Sequence, residues 1–185
     1  MATDVTRVFE RHPDLLDPEL GELLEAGDSP FRFPGLTFTQ SVNESKALNR
    51  LRGSAIIIAG SGMCTGGRIK HHLFNHIGDP HSRVVFVGYQ AHGTLGRAIV
   101  EGADPVRILG RPHTVRARIE QVSGLSAHAD HDELLTWARE LDVAPRRVLV
   151  THGEEETALA FAEELASVTG WATHAPEYGE AVVLA

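Results

Sequence analysis

The stretch SAIIIAG, residues 54–60, decides how the fold is read. Three consecutive isoleucines between small residues, closed by Gly60, have the length and β-branched content of a fully buried strand. The sequence around it supplies the context. GSGMCTGGR (60–68) is a glycine loop, IKHHLFNHI (69–77) has the content of a helix, and SRVVFVGYQ (82–90) reads as the next strand. Strand, loop, helix, strand is the repeating unit of an α/β fold.

Working outward, the same alternation continues. TLGRAIVEGA (94–103) predicts a short helix and PVRILG (105–110) a strand. TVRARIEQV (114–122) alternates, with Val115, Ala117 and Ile119 on one face and Arg116, Arg118 and Glu120 on the other, so a half-exposed strand is expected. HDELLTWAREL (131–141) predicts a helix, RRVLVTH (146–152) a strand, EETALAFAEELASVTG (155–170) a helix ended by Gly170, and AVVL (181–184) a last strand. Upstream, VTRVFERHPDLLDPELGELLEAG (5–27) reads as two short helices broken at Pro13 and Pro18. A Pro/Gly loop follows, and Ser41 with Glu44 forms a capping box for the helix 42–51. The fold class expected is α/β, a layered and mostly parallel sheet flanked by helices.

With 185 residues the chain forms one domain or two lobes, long enough for a sizeable core. No apolar run is long enough to span a bilayer, and the polar start MATDVTRVFERH lacks signal-peptide character. A single cysteine, Cys64, excludes an internal disulfide and a Cys-rich zinc site, and it fits a cytoplasmic protein. The net charge of −8 argues against general coating of nucleic acid. A local basic groove is still compatible with it, because 15 Arg stand against 2 Lys and Arg suits phosphate. Eleven His justify a search for metal or acid–base chemistry.

Three places can carry chemistry. The loop Ser61–Arg68 lies between a strand and a helix, where free backbone N–H groups make an anion site. It has no Walker or dinucleotide spacing, so a plain tight turn is the competing reading. GYQAHGTLGR (88–97) is similar in kind: Tyr89 and Gln90 end a strand, and Thr94 caps the helix bearing Arg97. Third, GLSAHADHDELLTW (124–137) holds His128, Asp130, His131 and Asp132 close together. Asp130 or Ser126 can cap the helix, and Asp132 and Glu133 read as first-turn acids. His128 precedes that helix among the small residues Ser126, Ala127 and Ala129. His152 is placed alike, at the end of a strand. Two His at strand carboxyl ends lie where α/β folds bind ligands. A catalytic zinc usually takes three protein ligands, so this is half a site. HADHD is not the His-x-His-x-Asp-His metal motif: its His–His spacing is three, and His131 and Asp132 fall inside the expected helix.

IIIAGSGMCTGGR, VVFVGYQAHGTLGR, GLSAHADHDEL and VLVTHGEEE, in this order and spacing, resemble the β-CASP branch of the metallo-β-lactamase-fold RNA nucleases over essentially the whole chain. The family's N-terminal part, with its His-x-His-x-Asp-His motif, has no counterpart in these residues. The resemblance implies a partial β-CASP lobe over 1–118 and a C-terminal metallo-β-lactamase-core and RNA-specificity segment over 119–185. It implies that His152 is a zinc ligand. It implies that His128 lies beside the scissile phosphate as a general acid or phosphate contact. Ser61, Gly62, Thr65, Gly66, Gly67, Arg68 and Ser126 would hold the RNA backbone. The complete enzyme would hydrolyse RNA phosphodiesters with two zinc ions, whereas this chain alone is expected to hold none tightly and to be inactive. The partners implied are RNA and the metal-binding half or a homologous subunit, with homo-oligomers open and no membrane. The alternative is a non-catalytic RNA-binding or assembly module.

Overall fold

A computed structural model of the chain describes residues 2–29, 31–126 and 128–183. Several helices begin where the sequence supplies a side-chain cap. α1 spans Ala2–Phe9 and α2 spans Pro18–Glu25, separated by a 3-10 turn at Pro13–Leu15. Asp17 caps α2 by accepting from the Leu20 N–H at 3.1 Å. α3 (Val42–Leu48) opens with the expected capping box: Ser41 Oγ accepts from Glu44 N, and the Glu44 carboxylate accepts from Ser41 N. α4 covers Ile69–His76, and α5 covers Leu95–Val100 behind the Thr94 cap.

Among the described residues the strands form three pairs. β1 (Arg83–Val87) runs parallel to β4 (Arg118–Val122), with Val84 opposite Ile119 and Phe86 opposite Gln121. β2 (Val106–Ile108) and β3 (Arg111–His113) make an antiparallel hairpin between them. β5 (Val148–Leu149) runs parallel to β6 (Thr173–His174). α7 (Glu155–Thr169) connects β5 and β6, and Gly170 closes it in the left-handed conformation, φ +72°. α6 (His131–Arg139) opens with a second capping box between Asp130 and Glu133. The chain is thus α/β with parallel pairing in two of its three strand pairs.

Two cores result. The larger packs Cys64, Leu73, Ile77, Phe86, Ile99, Val106 and Ile108, joining α4, α5 and β1 with the hairpin. Burial pushes the Cys64 thiol up to about 11, so it stays an inert thiol inside this core. The smaller core sets Leu135 and Ala138 of α6 against Leu165 of α7.

The run 54–60 corrects the sequence expectation. It forms no strand, and Ile56 and Ile58 are 91% and 89% exposed. Burial still alternates along it, with Ile57 and Ala59 half-buried. The residues suit a strand, but a strand needs a neighbour for its backbone groups, and no described residue provides one. Residues 181–183 likewise form no strand, and Leu184 of the expected AVVL strand lies outside the described residues. In TVRARIEQV the inward set is as expected, with Ala117 buried. Only 118–122 pair as strand, because the Arg116 and Ala117 N–H groups both donate to the Ile77 carbonyl at the end of α4.

Candidate functional site

The site is built from loops that precede helices. His128 lies three residues ahead of α6, and His152 three ahead of α7. Both are exposed. The His128 N–H donates to Ser126 Oγ at 3.2 Å, which folds the loop and ties two expected site residues together; Ala127 between them lies outside the described residues. His152 adopts φ +67°, a conformation that side chains rarely take, between β5 and α7. Neither imidazole makes a hydrogen bond or ion pair with a described residue.

Other histidines are committed to structure. His72 is buried, with Nε2 at 3.1 Å from Ser45 Oγ and Nδ1 at 2.9 Å from Asn49 Oδ1; His76 Nε2 shares that oxygen at 3.2 Å. Since Asn49 Oδ1 only accepts, His72 fits the neutral Nδ1–H tautomer, accepting from Ser45 at Nε2. Burial holds its pKa below the ordinary value, with His76, His71 and Arg68 adding to the effect. His131 bridges the two C-terminal helices, with Nδ1 at 2.9 Å from Asp132 and Nε2 at 2.8 Å from Glu164. Those carboxylates raise its pKa. Both ring nitrogens are therefore occupied.

The glycine loop is compact. Ser61 Oγ accepts from Gly66 N at 3.3 Å, and the Ser61 carbonyl accepts from Cys64 N at 2.8 Å. Arg68 is tied to the segment ahead of α3. Its Nη1 donates to the Thr39 carbonyl at 2.9 Å and its Nη2 to the Gln40 carbonyl, strapping the chain ahead of α3 to the start of α4. Gly96 of the GTLGR segment meets this loop: its N–H donates to the Met63 carbonyl at 3.0 Å. A Cβ there would lie 3.1 Å from that oxygen and 1.9 Å from Gln90 Oε1, so a side chain would force Gln90 to shift and crowd the Met63 carbonyl.

Sequence reasoning missed Glu154. Tyr89 donates its phenolic O–H to the Glu154 carboxylate, which also accepts from His92 N at 3.4 Å. This contact joins the 88–97 segment to the His152 loop across 65 residues. The Tyr89 bond holds Glu154 below the usual carboxylate range, and the carboxylate raises Tyr89 in turn. The position of Glu154 two residues after His152 was the available signal, but its partner depends on tertiary structure.

An open depression of about 980 Å³ holds Ser126, His128, Asp130, Glu133 and Trp137. His152 and the 61–68 loop do not line it. Among the described residues no group of three or more His, Cys, Asp or Glu could hold a metal ion. The donors among the described residues therefore do not make a complete zinc site. Among the described residues no helix is long and apolar enough to cross a membrane.

The fold is α/β, and the loops ahead of α6 and α7 present the exposed imidazoles of His128 and His152. Residues 1–99 match the Beta-Casp domain, and residues 112–176 match the Zn-dependent metallo-hydrolase RNA specificity domain. The chain belongs to the β-CASP family of metallo-β-lactamase-fold RNA nucleases. It is 42% identical over 182 residues to Ribonuclease TTHA0252 of Thermus thermophilus, which covers 98% of this chain and 41% of that protein. It is 29% identical over 182 residues to Transcription termination factor FttA of Methanocaldococcus jannaschii, covering 95% of this chain and 29% of the relative. The same factor of Cenarchaeum symbiosum is 30% identical over 190 residues, covering 100% and 30%. The chain thus spans less than half the length of the relatives it matches.

Proposed function

We propose that this chain is the C-terminal portion of a zinc-dependent nuclease that hydrolyses RNA phosphodiester bonds, and that it contributes His128 and His152 to a centre whose other metal donors come from outside these 185 residues. The observation that carries the reading is the state of those two imidazoles. Both are exposed on loops ahead of α6 and α7 and both are unspent, whereas His72 and His131 are fully engaged. In the complete enzyme His152 supplies a metal donor. His128 protonates the leaving oxygen, a task imidazole suits near neutral pH. Ser126 holds the His128 loop and, with Ser61, Gly62, Thr65, Gly66 and Gly67, offers O–H and N–H donors to RNA phosphates. Arg68 adds positive charge and the donors left after its strap. Zinc, when held by the complete donor set, supplies an activated water and charge neutralisation at phosphate.

The division near residue 118 belongs to the same proposal. Across that division, β4 pairs along its length with β1. Alone, the chain lacks donors to hold zinc stoichiometrically and is inactive. The test is elemental analysis of the purified chain together with an RNA cleavage assay. The reading predicts less than one zinc per chain and no cleavage above buffer. Two tightly held zinc ions with cleavage by the chain alone would overturn it, and chelator-resistant cleavage would point to a different centre.

A further inference from the structure

We propose that Glu154 and Tyr89 are positioning residues: the hydrogen bond between them sets where the His152 imidazole stands relative to the 61–68 loop. This rests on the nuclease reading and adds the device that keeps two of its parts, the RNA-holding loop and His152, in register.

The first observation is a side chain that forgoes its local task. Glu154 is the N-cap residue of α7, yet its side chain makes no capping bond to the helix it opens. Caps are normally Ser, Thr, Asp or Asn, and Asp17, Ser41, Thr94 and Asp130 cap α2, α3, α5 and α6 in that way. The Glu154 carboxylate instead accepts from the Tyr89 phenol and from His92 N at 3.4 Å. The second is the stiffness of the short path from Glu154 back to His152. The Glu154 carbonyl accepts from Ala158 N at 2.8 Å. A Cβ at Gly153 would lie 3.2 Å from Ala158 Cβ, so this turn packs directly on α7. His152 itself holds φ +67°, and such a conformation persists only where its surroundings fix it. A shift of Glu154 is therefore passed on to His152.

The third is that Tyr89 is a fixed post. It follows Gly88, whose N–H donates to the Val122 carbonyl of β4 at 3.1 Å. It precedes Gln90, which is buried and donates its side-chain amide to the Tyr89 carbonyl at 3.1 Å. Arg97 Nη1 donates to the Gln90 carbonyl at 3.4 Å, and the adjacent Gly96 N–H donates to the Met63 carbonyl of the glycine loop. A continuous run of contacts thus leads from Met63 through Gly96, Gln90 and Tyr89 to Glu154 and His152. Tyr89 is 58% exposed, so the bond lies outside the core and its loss leaves the fold intact.

In the chain alone, the His152 ring resonances are read by NMR for wild type, Tyr89→Phe, Glu154→Ala, the double variant and Glu154→Gln, with Glu163→Ala on α7 as an exposed control. Tyr89→Phe removes the donor and Glu154→Ala the acceptor, whereas a Gln amide oxygen still accepts from the phenol. The expected result is that both deletions move the His152 resonances in the same direction and that the double variant moves them no further than Glu154→Ala, as a shared interaction requires. Glu154→Gln returns them toward wild type, and the control leaves them in place. The chain is also co-expressed with the part of the Thermus ribonuclease that it does not match, and RNA cleavage by this complex is measured for the same variants. Tyr89→Phe and Glu154→Ala should lower kcat about 10–10²-fold with KM kept, as misplacement of a reacting group does, and Glu154→Gln should recover most of the rate. His152 resonances unmoved by Tyr89→Phe overturn the proposal. Equal effects of Glu154→Gln and Glu154→Ala overturn it too, since the role would then belong to the charge and not to the bond. A wild-type complex that never cleaves overturns the nuclease reading, while the His152 resonances still decide the positioning role.

Discussion

Arg68→Ala removes the strap between the 39–40 segment and α4. Two charge-assisted bonds to the Thr39 and Gln40 carbonyls are lost. Such bonds contribute about 1.5–3 kcal/mol each when well shielded. The guanidinium is only half-buried and the freed carbonyls can rehydrate, so the pair is expected to contribute about 2 kcal/mol in total. The loss should reach further than the two carbonyls. Ser41 caps α3, and α3 carries Ser45 and Asn49 onto His72. Urea unfolding should show a lower midpoint with an unchanged slope, and hydrogen exchange should quicken in residues 41–48. Arg68→Lys should recover only part of the loss, since one ammonium cannot serve two carbonyls in a fixed fork. A change in stability within about 0.5 kcal/mol, with α3 exchange unaltered, would refute the strap. In RNA titrations of the complex, a drop of about 1 in the salt slope would add a phosphate contact to its roles.

His72, whose folded pKa is lowered, takes a proton more readily in the unfolded chain than in the folded one. Its contribution is therefore fully present above the ordinary value of 6.5 and lost as pH falls below it; an NMR titration placing His72 above His131 would contradict this. His131 has the opposite sign: its raised pKa gives a contribution present below 6.5 that fades as pH rises through the folded value. Gly96→Ala should destabilise by about 1–3 kcal/mol, read by thermal unfolding, because a methyl there meets Gln90 and the Met63 carbonyl. Tyr89→Phe should speed exchange at the His92 amide through loss of the Glu154 bond, and unchanged exchange would remove the link between these loops.

The parts of the fold legible in the sequence are those set by local chemistry. Ser41 with Glu44, Thr94 and Asp130 cap the helices their spacing announces. β3 and β6 were not legible: three and two residues are too few to show a period, and β3 contains Pro112. The 54–60 run shows the limit of composition. Its residues fit a strand, but burial depends on a neighbour that no pattern within the run encodes. At the candidate site, the loops of His128 and His152 were visible from their place before helices. The Glu154–Tyr89 bond and the turning of Arg68 onto Thr39 and Gln40 were not, since each depends on residues far apart in sequence.

The central claim is that this chain supplies His128 and His152 to a centre completed by another part of a family nuclease. Zinc-dependent RNA cleavage by the co-expressed complex, measured with bound metal for wild type, His128→Ala and His152→Ala, tests it most directly. The account predicts cleavage only by the complex. His128→Ala should lose about 10²–10⁴-fold in rate with metal largely kept, and His152→Ala should lose metal together with rate. Normal cleavage by a complex carrying both substitutions would contradict the account.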